Sequence, residues 1–514
     1  MIKRMSLPHL DHTRLAQLGI MLTVILTAVG LRLARLPLIT MWSDEYHSFI
    51  VSSLPLAEIL RGNYTGDLNP PLYFALLHLQ RIIFGDSEIA MRSLSLVFAV
   101  LSLPLVFALA QSILKAFIPS IAALVLAAFH PMLIYYSVEI RSYSLLILFG
   151  LLGFLGCVKI QEGSEHPQVW AILLVFGSCG CLYAHHFGMI VPLSICAFVA
   201  VHVIISKRWT KRETLILLSV VLSVLLYLPG LVMLWRQTRA LSAGTNLIPL
   251  AQSLQVFVFS TDHPPYEQLL AVLAIMALAT GMIVLMTQIR RTPAALLVIC
   301  GIPAGASFAI LTNLAGINVI NRYLTVALPL VIIAIAATLT EMKWAWQRLI
   351  NGLGVITIAL YTIYGFGFVL NTKWENQQAT WKEDWRQLSV VVRNIRNADE
   401  PIVIMGWDAT PLQYYLGETA MTSFQLEDQL LLHPHPSYLI VMTPNSGTIP
   451  VLDSAVLLYE DEIEGVRILR LSVQSGKLEA PATASLKTSP FTSASSGVEF
   501  TPIINIWSLW AGKE

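Results

Sequence analysis

The sequence predicts a polytopic α-helical membrane protein with about eleven transmembrane helices (11–13) and a small C-terminal α/β domain outside the membrane. Of its 514 residues, 56% are hydrophobic and only 12% are charged, and the mean hydropathy is +0.69. This composition is far too apolar for an ordinary soluble protein, so the lipid bilayer is an expected partner. The 32 Lys and Arg nearly balance the 31 Asp and Glu, which gives no support for binding nucleic acid.

Eleven apolar segments are long enough to cross a bilayer, which takes about 20 residues in a helix. They are residues 15–36, 92–111, 116–135, 142–160, 168–186, 188–206, 214–234, 268–288, 294–312, 324–340 and 349–370. The basic N-terminus leads into the first segment without a small-residue cleavage site, so we expect this helix to be retained. All five cysteines lie in apolar runs, and no disulfide framework is predicted.

The apolar segment 70–85 is interpreted as a helix at the membrane interface rather than as another span. It begins with two prolines, is short, and carries His78, Gln80 and Arg81 in its interior. A second amphipathic helix is predicted at 54–62 in the same external loop.

Basic clusters predict the orientation of the spans, because cytoplasmic loops collect Lys and Arg. If segment 70–85 stays outside, the clusters 207–212 and 289–291 both face the cytoplasm. The same topology puts nine polar candidate residues on the opposite face: Asp44, Glu45, Asp67, Glu139, Arg141, His185, His186, Arg322 and Tyr323. One face of the membrane is therefore predicted to hold the chemistry.

The composition changes after the last predicted span. The stretch 374–400 has a helical period, and the short apolar runs 401–406 and 438–443 are typical of strands. The predicted domains are a transmembrane domain at 1–370, an extracytoplasmic α/β domain at 371–474 and a Ser/Thr-rich flexible tail at 475–514.

An acidic pair, Asp44 and Glu45, follows the first span. Acidic residues in such a loop are common and need no function, but Trp42 and Tyr46 are interfacial aromatics that can hold this loop at headgroup depth. A loop anchored in this way can aim a carboxylate into a cavity. Asp67, just before a proline pair, is a weaker signal by itself.

Charged and aromatic side chains at other span ends can have either a structural or a ligand-binding role. Glu139 and Arg141 form either an ion pair at a helix end or a site in which Arg141 faces an anionic ligand, with Tyr143 nearby. The pair His185 and His186 is more typical of a polar cap than of a metal site.

Arg322 and Tyr323 begin a span from the outside. The Arg322 guanidinium either binds phosphate through two hydrogen bonds or reaches toward lipid headgroups.

Taken in order, several motifs resemble the GT-C glycosyltransferases of the protein O-mannosyltransferase and aminoarabinose (lipid A) transferase group, the bacterial family-39 type. They are 42-WSDE-45, 67-DLNPPLYF-74, 84-FGDSEIAMRSLS-95, 131-PMLIYYSVEIRSYS-144, 183-YAHHFG-188 and 322-RYLTVALP-329. The resemblance implies a GT-C fold and an inverting transfer of a sugar from a polyprenyl-phosphate donor to an acceptor. It also implies that the reaction takes place at the outer face of the cell (inner or plasma) membrane.

The sequence departs from both named branches just before the proline pair. Aminoarabinose transferases carry Glu-Lys where this chain has Leu68-Asn69, and the mannosyl branch commonly has His where Asn69 stands. Neither a lipid A sugar donor nor protein mannosylation therefore follows. The acceptor stays open among protein, lipid and cell-envelope glycan.

The resemblance also implies roles for individual residues. Asp44 would take the proton of the acceptor hydroxyl, Glu45 would support the loop or the acceptor, and Asp67 would position the sugar or help to hold a divalent metal, the one cofactor considered. The donor phosphate would be bound by Arg141, Arg322, Arg92 and Tyr323. The substrate pocket would include Asn69, Tyr73, Glu139, Tyr143, His185 and His186.

The alternative class is a polytopic transporter or lipid-carrier flippase, which would also have many spans and buried charges. Two observations argue against it. The polar candidates collect at one membrane face rather than near the midplane, and the halves of the sequence show no repeat with broken helices.

Overall fold

The computed structural model describes residues 12–64, 69–240, 266–316, 319–342, 345–370, 384–397, 399–405, 409–417, 420–423, 437–442, 455–463 and 466–473. The predicted catalytic residue Asp67 and the predicted tail from 475 onward lie outside these ranges. The chain divides into two compact units, Met1–Trp385 and Arg386–Glu514.

The first unit is helical in the part of the chain that the structure describes. Its α-helices are His12–Arg35 (α1), Ser43–Ser53 (α2), Leu56–Arg61 (α3), Leu72–Phe84 (α4), Glu88–Leu114 (α5), Phe117–Phe129 (α6), Pro131–Ser137 (α7), Tyr143–Glu162 (α8), Pro167–Ala184 (α9), Ile190–Ser206 (α10), Lys211–Leu226 (α11), Leu228–Ala240 (α12), Tyr266–Gln288 (α13), Ala295–Leu314 (α14), Leu328–Ala337 (α15) and Gln347–Leu370 (α16). Two short 3-10 helices are His186–Met189 and Asn321–Ala327.

This unit makes the chain a multi-pass membrane protein. Among the described residues, eight helices are long and apolar enough to span a bilayer, or up to ten if the bent pairs α6–α7 and α11–α12 each count as one span. The predicted span 324–340 is shorter than expected, because a 3-10 helix precedes the ten-residue α15. At 13 residues, or about 20 Å, α4 is also too short to cross, as expected for segment 70–85.

The break between α6 and α7 places the segment that carries Arg141. Pro131 lacks the N–H that would continue the helix, so α6 ends at Phe129 and the chain bends by 55°. The buried Arg32 of α1 donates from Nη1 to the Ala128 carbonyl oxygen at 2.8 Å. A cation at this helix end compensates a carbonyl that the break leaves without its helical partner.

Close contact between α8 and α9 brings two site residues to the same end of the bundle. A Cβ atom added to Gly177 would lie 2.3 Å from the Gly153 nitrogen, so only glycine permits this approach of the two backbones. The helices run in opposite directions, and α8 begins at Tyr143 whereas α9 ends just before His185. The ring centroids of Tyr143 and His185 are 5.8 Å apart.

The second unit contains a five-stranded mixed sheet. Its described elements begin with helix α17, Trp385–Ile395, which starts at the boundary between the units, and continue with α18, Pro411–Leu416. The strands are Ile402–Met405 (β1), Ala420–Ser423 (β2), Ser437–Met442 (β3), Ala455–Ile463 (β4) and Val466–Val473 (β5). The order is β2-β1-β3-β5-β4, with β1 parallel to β2 and β3, and β5 antiparallel to β3 and β4. The first and third strands coincide with the apolar runs 401–406 and 438–443.

A buried ion pair stabilises this second unit. Arg470 Nε lies 2.9 Å from Oε1 of Glu400, whose side chain is fully buried. Burial alone would raise the pKa of Glu400, but hydrogen bonds from Arg470, the Asn397 N–H and Ser437 outweigh it, and the net effect lowers the pKa. The folded state therefore favours the ionised carboxylate.

We expect Arg470→Met to destabilise the second unit by about 3 kcal/mol at neutral pH, because the buried Glu400 carboxylate loses its partner. The lowered pKa means that the contribution of Glu400 to stability is complete above its ordinary value of 4.5 and is lost as the pH falls through the folded-state value. Hydrogen–deuterium exchange of β1 and β3 in the full chain measures the difference. If the difference in exchange rate between variant and wild type does not become smaller at acid pH, the Glu400 carboxylate is not the group that Arg470 stabilises.

Candidate active site

Two carboxylates lie next to each other in the first turn of α2. Asp44 and Glu45 follow Trp42, whose extended backbone precedes the helix. Negative charge in a first turn is stabilised by the N–H groups that have no partner within the helix. Because successive residues on a helix point about 100° apart, the two carboxylates face different neighbours.

Glu45 is buried and paired. Its side chain is 1% exposed, and Arg92 contacts it through two nitrogens, with Nη2 2.6 Å from Oε2 and Nε 3.1 Å from Oε1. The Ile140 N–H donates to Glu45 Oε1 at 2.9 Å, and Arg92 donates to the Ile39 carbonyl oxygen at 2.8 Å. Glu45 thus connects α2 to α5 and to the segment between α7 and α8. This geometry favours a supporting role for Arg92 over the phosphate-binding role predicted from the sequence.

Asp44 lies between two arginines from distant parts of the chain. Arg322 Nη2 is 3.0 Å from Asp44 Oδ2, and Arg141 Nη2 is 3.9 Å from the same oxygen. Arg141 Nη1 also donates to Ser48 Oγ and to the Asp44 carbonyl oxygen, both at 3.3 Å. The Arg322 guanidinium carbon lies 5.4 Å from the ring centroid of Trp42. The side chains of Asp44 and Arg322 are 19% and 20% exposed, so a ligand can reach both.

A chain of hydrogen bonds holds the backbone of Arg141. The Tyr73 hydroxyl on α4 is 2.8 Å from Ser95 Oγ on α5, and Ser95 Oγ donates to the Arg141 carbonyl oxygen at 3.3 Å. Burial raises the pKa of Tyr73, so its hydroxyl keeps its proton. Tyr73, predicted from the sequence to line the pocket, here supports the segment that carries Arg141.

Aromatic rings from three elements form a wall next to Arg322. The Tyr323 ring centroid lies 4.9 Å from that of His185 and 5.0 Å from that of Phe187. His185 Nδ1 accepts the Phe187 N–H at 3.1 Å, which fixes the His185 ring at the end of α9. Tyr143, also buried, packs on the same ring. The structure thus brings Tyr143, His185 and Tyr323 together.

His186 contacts a different partner. Its Nδ1 lies 3.2 Å from the hydroxyl of Tyr227, which ends α11 at the bend before α12. The Tyr227 ring packs edge-on against Tyr183, with centroids 5.0 Å apart. This extends the polar and aromatic face from the end of α9 to the α11–α12 bend.

The other predicted pocket residues are less closely placed. Asn69 is half-buried, and its carbonyl oxygen accepts the Tyr64 hydroxyl at 2.7 Å. Glu139 is buried, and its carbonyl oxygen accepts the Arg141 N–H at 2.8 Å. Within the described ranges, no group of three His, Cys, Asp or Glu side chains could hold a metal ion. The metal role of Asp67 lies outside those ranges and stays a prediction.

The structure adds site residues that the sequence analysis did not select. Ser48 contacts Arg141, and a signal for it was present, because it lies four residues after Asp44 on the same helix face. Trp42 was selected only as an interfacial anchor, yet it stacks on Arg322. Tyr227 had no sequence signal, because its partner His186 is 41 residues away.

This arrangement combines a partly exposed carboxylate with two guanidinium groups. A carboxylate can accept a proton from a hydroxyl group within hydrogen-bond reach. Guanidinium groups bind phosphate oxygens through paired hydrogen bonds and stabilise charge that develops there. The site can therefore hold a phosphate ester beside a base.

Comparison with protein families gives one match over part of the chain. Residues 68–235, about a third of the sequence, match the family described as dolichyl-phosphate-mannose-protein mannosyltransferase. None of the curated proteins compared is similar enough in sequence to match.

Several solved structures share the fold. ArnT from Cupriavidus metallidurans is 12% identical with a TM-score of 0.55, over 89% of this chain and 97% of that chain, both in the apo state and bound to undecaprenyl phosphate. The archaeal oligosaccharyltransferase AglB from Archaeoglobus fulgidus, in complex with an inhibitory peptide and a dolichol-phosphate, is 11% identical with a TM-score of 0.52, over 84% of this chain and 70% of that chain. The arabinofuranosyltransferase AftD from Mycobacteria is 12% identical with a TM-score of 0.52, over 89% of this chain and 40% of that chain.

At these identities the likeness shows the fold. The GT-C fold predicted from the sequence is confirmed, together with the resemblance to the membrane glycosyltransferases that share it. The described helices give eight to ten spans.

Proposed function

We propose that the chain is an inverting glycosyltransferase that moves a hexosyl or pentosyl group from a polyprenyl-phosphate carrier to an acceptor hydroxyl. The observation that carries the proposal is the contact of Asp44 with the guanidinium groups of Arg322 and Arg141. The shared fold supports it, because ArnT was solved with undecaprenyl phosphate and AglB with a dolichol-phosphate. The acceptor is a protein, a lipid or a cell-envelope glycan.

In the proposed reaction, the acceptor oxygen attacks C1 of the sugar from the face opposite the phosphate, which inverts the configuration. The bond from C1 to the phosphate oxygen breaks, its electron pair leaves on the phosphate, and the glycosidic bond forms. The acceptor proton passes to the Asp44 carboxylate and then to water. Because phosphate is already a competent leaving group, the leaving oxygen needs no general acid, unlike that in glycoside hydrolysis.

The two arginines serve the phosphate in this proposal. Arg322 and Arg141 are preorganised, since stacking on Trp42 orients the first and Ser48 orients the second. Fixed cations of this kind stabilise the charge that grows on the phosphate as the bond to C1 breaks. A phosphate bound at Arg322 would lie beside Asp44, which is where an acceptor hydroxyl must enter.

The proposed location is the outer face of a cell membrane. Two spanning helices, α5 and α8, carry the site residues Arg92 and Tyr143 near their N-terminal ends and end near Lys115 and Lys159 at the opposite side. Both lysines form ion pairs with Glu162 there. Basic residues mark the cytoplasmic side of membrane proteins, which supports an extracytoplasmic site.

Radiolabelled polyprenyl-phosphate sugars, supplied to membranes that contain the protein, test the proposed function. Glycosyl transfer predicts that label becomes covalently bound to an acceptor and that Asp44→Asn strongly slows this transfer. A transporter or flippase would instead move the intact labelled lipid across the bilayer. Translocation without covalent transfer would overturn the proposal.

Arg322→Ala is expected to weaken binding of the polyprenyl-phosphate donor about tenfold or more, because a charge-assisted contact to phosphate is lost. Acceptor binding should change less. Titration of the purified protein with undecaprenyl phosphate, and the KM for each substrate, measure the two effects.

The matched control is Arg348→Ala, which removes an exposed arginine from the first turn of α16. We expect donor affinity to stay at the wild-type value in this variant. If Arg322→Ala binds the donor as tightly as the control does, the phosphate site lies elsewhere.

A further inference from the structure

The end of α2 opposite to Asp44 is held by two side chains of α4. Arg81 Nη1 donates to the Phe49 carbonyl oxygen and to Ser52 Oγ, both at 2.7 Å, and to Ser53 Oγ at 2.9 Å. His78 Nδ1 lies 2.9 Å from the Ser52 carbonyl oxygen and donates to it. These residues occupy the last turn of α2, so α4 contacts the helix at its C-terminal end.

The Arg81 side chain is itself fixed on several sides. Its Nε is 2.7 Å from Asp86 Oδ1, and its guanidinium carbon lies 4.2 Å from the ring centroid of Phe49. Only 10% of the Arg81 side chain is exposed, compared with 58% of Asp86. The hydrogen bond from Arg81 lowers the pKa of Asp86, which keeps that carboxylate ionised. Besides its ion pair with Asp86, Arg81 therefore contacts α2 through three acceptors around its Nη1.

A cation at this position suits the chemistry of a helix end. The last carbonyl groups of a helix have no partner within it, and the helix dipole places negative charge there. Eleven residues are too few to make a stable helix alone. The helix therefore depends on contacts with other elements. They include the pair of Glu45 with Arg92 at one end and the hydrogen bonds from Arg81 and His78 at the other.

We propose that Arg81, assisted by His78, is a positioning residue for the reaction. It fixes the C-terminal end of α2 and so determines where the N-terminal turn presents Asp44 to Arg141 and Arg322. The inference rests on the proposed function where activity is the readout. Displacing a catalytic group by about 1 Å can lower the reaction rate up to a hundredfold. A contact at the far end of α2 can therefore affect the rate.

Kinetics of three variants test the role of Arg81. We expect Arg81→Met to lower kcat about tenfold with a smaller change in the KM for donor, because Asp44 moves with α2, whereas Arg141 and Arg322 belong to other elements. Arg81→Lys should recover part of the rate, since an ammonium group can still reach one or two of the acceptors. Asp86→Asn should stay within twofold of wild type, because it leaves the contacts of Arg81 with α2 intact.

The matched control is Arg61→Met, which removes an arginine from an exposed ion pair with Glu58 in the same external loop. We expect wild-type kinetics from it. Equal loss of kcat in Asp86→Asn and Arg81→Met would assign the effect to the surface ion pair and overturn the proposal. So would unchanged kcat in Arg81→Met.

Hydrogen–deuterium exchange of the full-length protein gives a readout that does not need activity. The amides of α2 should exchange faster in Arg81→Met than in the wild type and in Arg61→Met, whereas those of α8 should be unchanged. If the wild-type protein transfers no sugar, the proposed function fails, and exchange still decides the positioning role. Identical α2 exchange in Arg81→Met and wild type would overturn it.

Discussion

Asp44→Asn is expected to lower sugar transfer by a factor of about a hundred or more, the range for a lost general base. The amide has nearly the shape of the carboxylate and can still accept a hydrogen bond from Arg322, which lies 3.0 Å from Asp44 Oδ2. It cannot take the proton of the acceptor hydroxyl. Expression, membrane insertion and donor binding should therefore be close to normal. The measurement is the initial rate of transfer from a radiolabelled polyprenyl-phosphate sugar.

Glu58→Gln is the matched control for this variant. Glu58 is a carboxylate of the same connection between α1 and α5, and its ion pair with Arg61 is exposed. Exposed pairs contribute little, so we expect a wild-type rate. Near-normal transfer by Asp44→Asn would remove Asp44 from the role of base, and another carboxylate would have to be sought.

Glu45→Ala is expected to destabilise the first unit by about 3–5 kcal/mol, because it removes the close carboxylate partner of the fully buried Arg92 and leaves the longer contact with Glu88 at 3.5 Å. It also removes the acceptor of the Ile140 N–H. Thermal unfolding of the purified protein in detergent should show a large fall in midpoint. Loss of activity in this variant would then follow from loss of structure.

The double variant Glu45→Met/Arg92→Met tests whether Glu45 acts through stability or in the reaction itself. Removing both charges avoids an unpaired buried cation, so the double variant should be more stable than the sum of the single effects. If Glu45→Ala instead unfolds like the wild type and yet transfers no sugar, Glu45 acts in the chemistry itself. Arg92→Met alone should be strongly destabilising for the same reason as Glu45→Ala.

Hydropathy was sufficient to predict most of the first unit. Long apolar segments form helices in a bilayer whatever their neighbours are, and eight described helices pass the criterion for a span. The two bent helices were not predicted, although Pro131 marks one break in the sequence. The shortness of α15 could not be read from the sequence, because residues 324–327, which form the second half of the 3-10 helix, are apolar enough to continue a helix.

The sequence predicted which residues share one membrane face, because this follows from the order of the spans. It did not predict side-chain partners, which depend on packing. Asp44, Arg141 and Arg322 were assigned to one membrane face by counting spans, and in the structure both guanidinium groups lie within 4 Å of the Asp44 carboxylate. The partner of Arg92 was not predictable, because Glu45 lies 47 residues away and nothing local marks the pair. The same holds for Arg81, whose partners on α2 are about 30 residues away.

The 3-10 helix that carries Arg322 leads directly into α15. All ten residues of this helix are buried, and it packs against α6, α13 and α14. The Arg322 side chain is only 20% exposed and is held by Asp44 and Trp42. Under the proposed function, the phosphate group of the carrier loses part of its hydration when it binds this guanidinium group. Dissolved salt, which screens buried charges poorly, would then have little influence on that encounter.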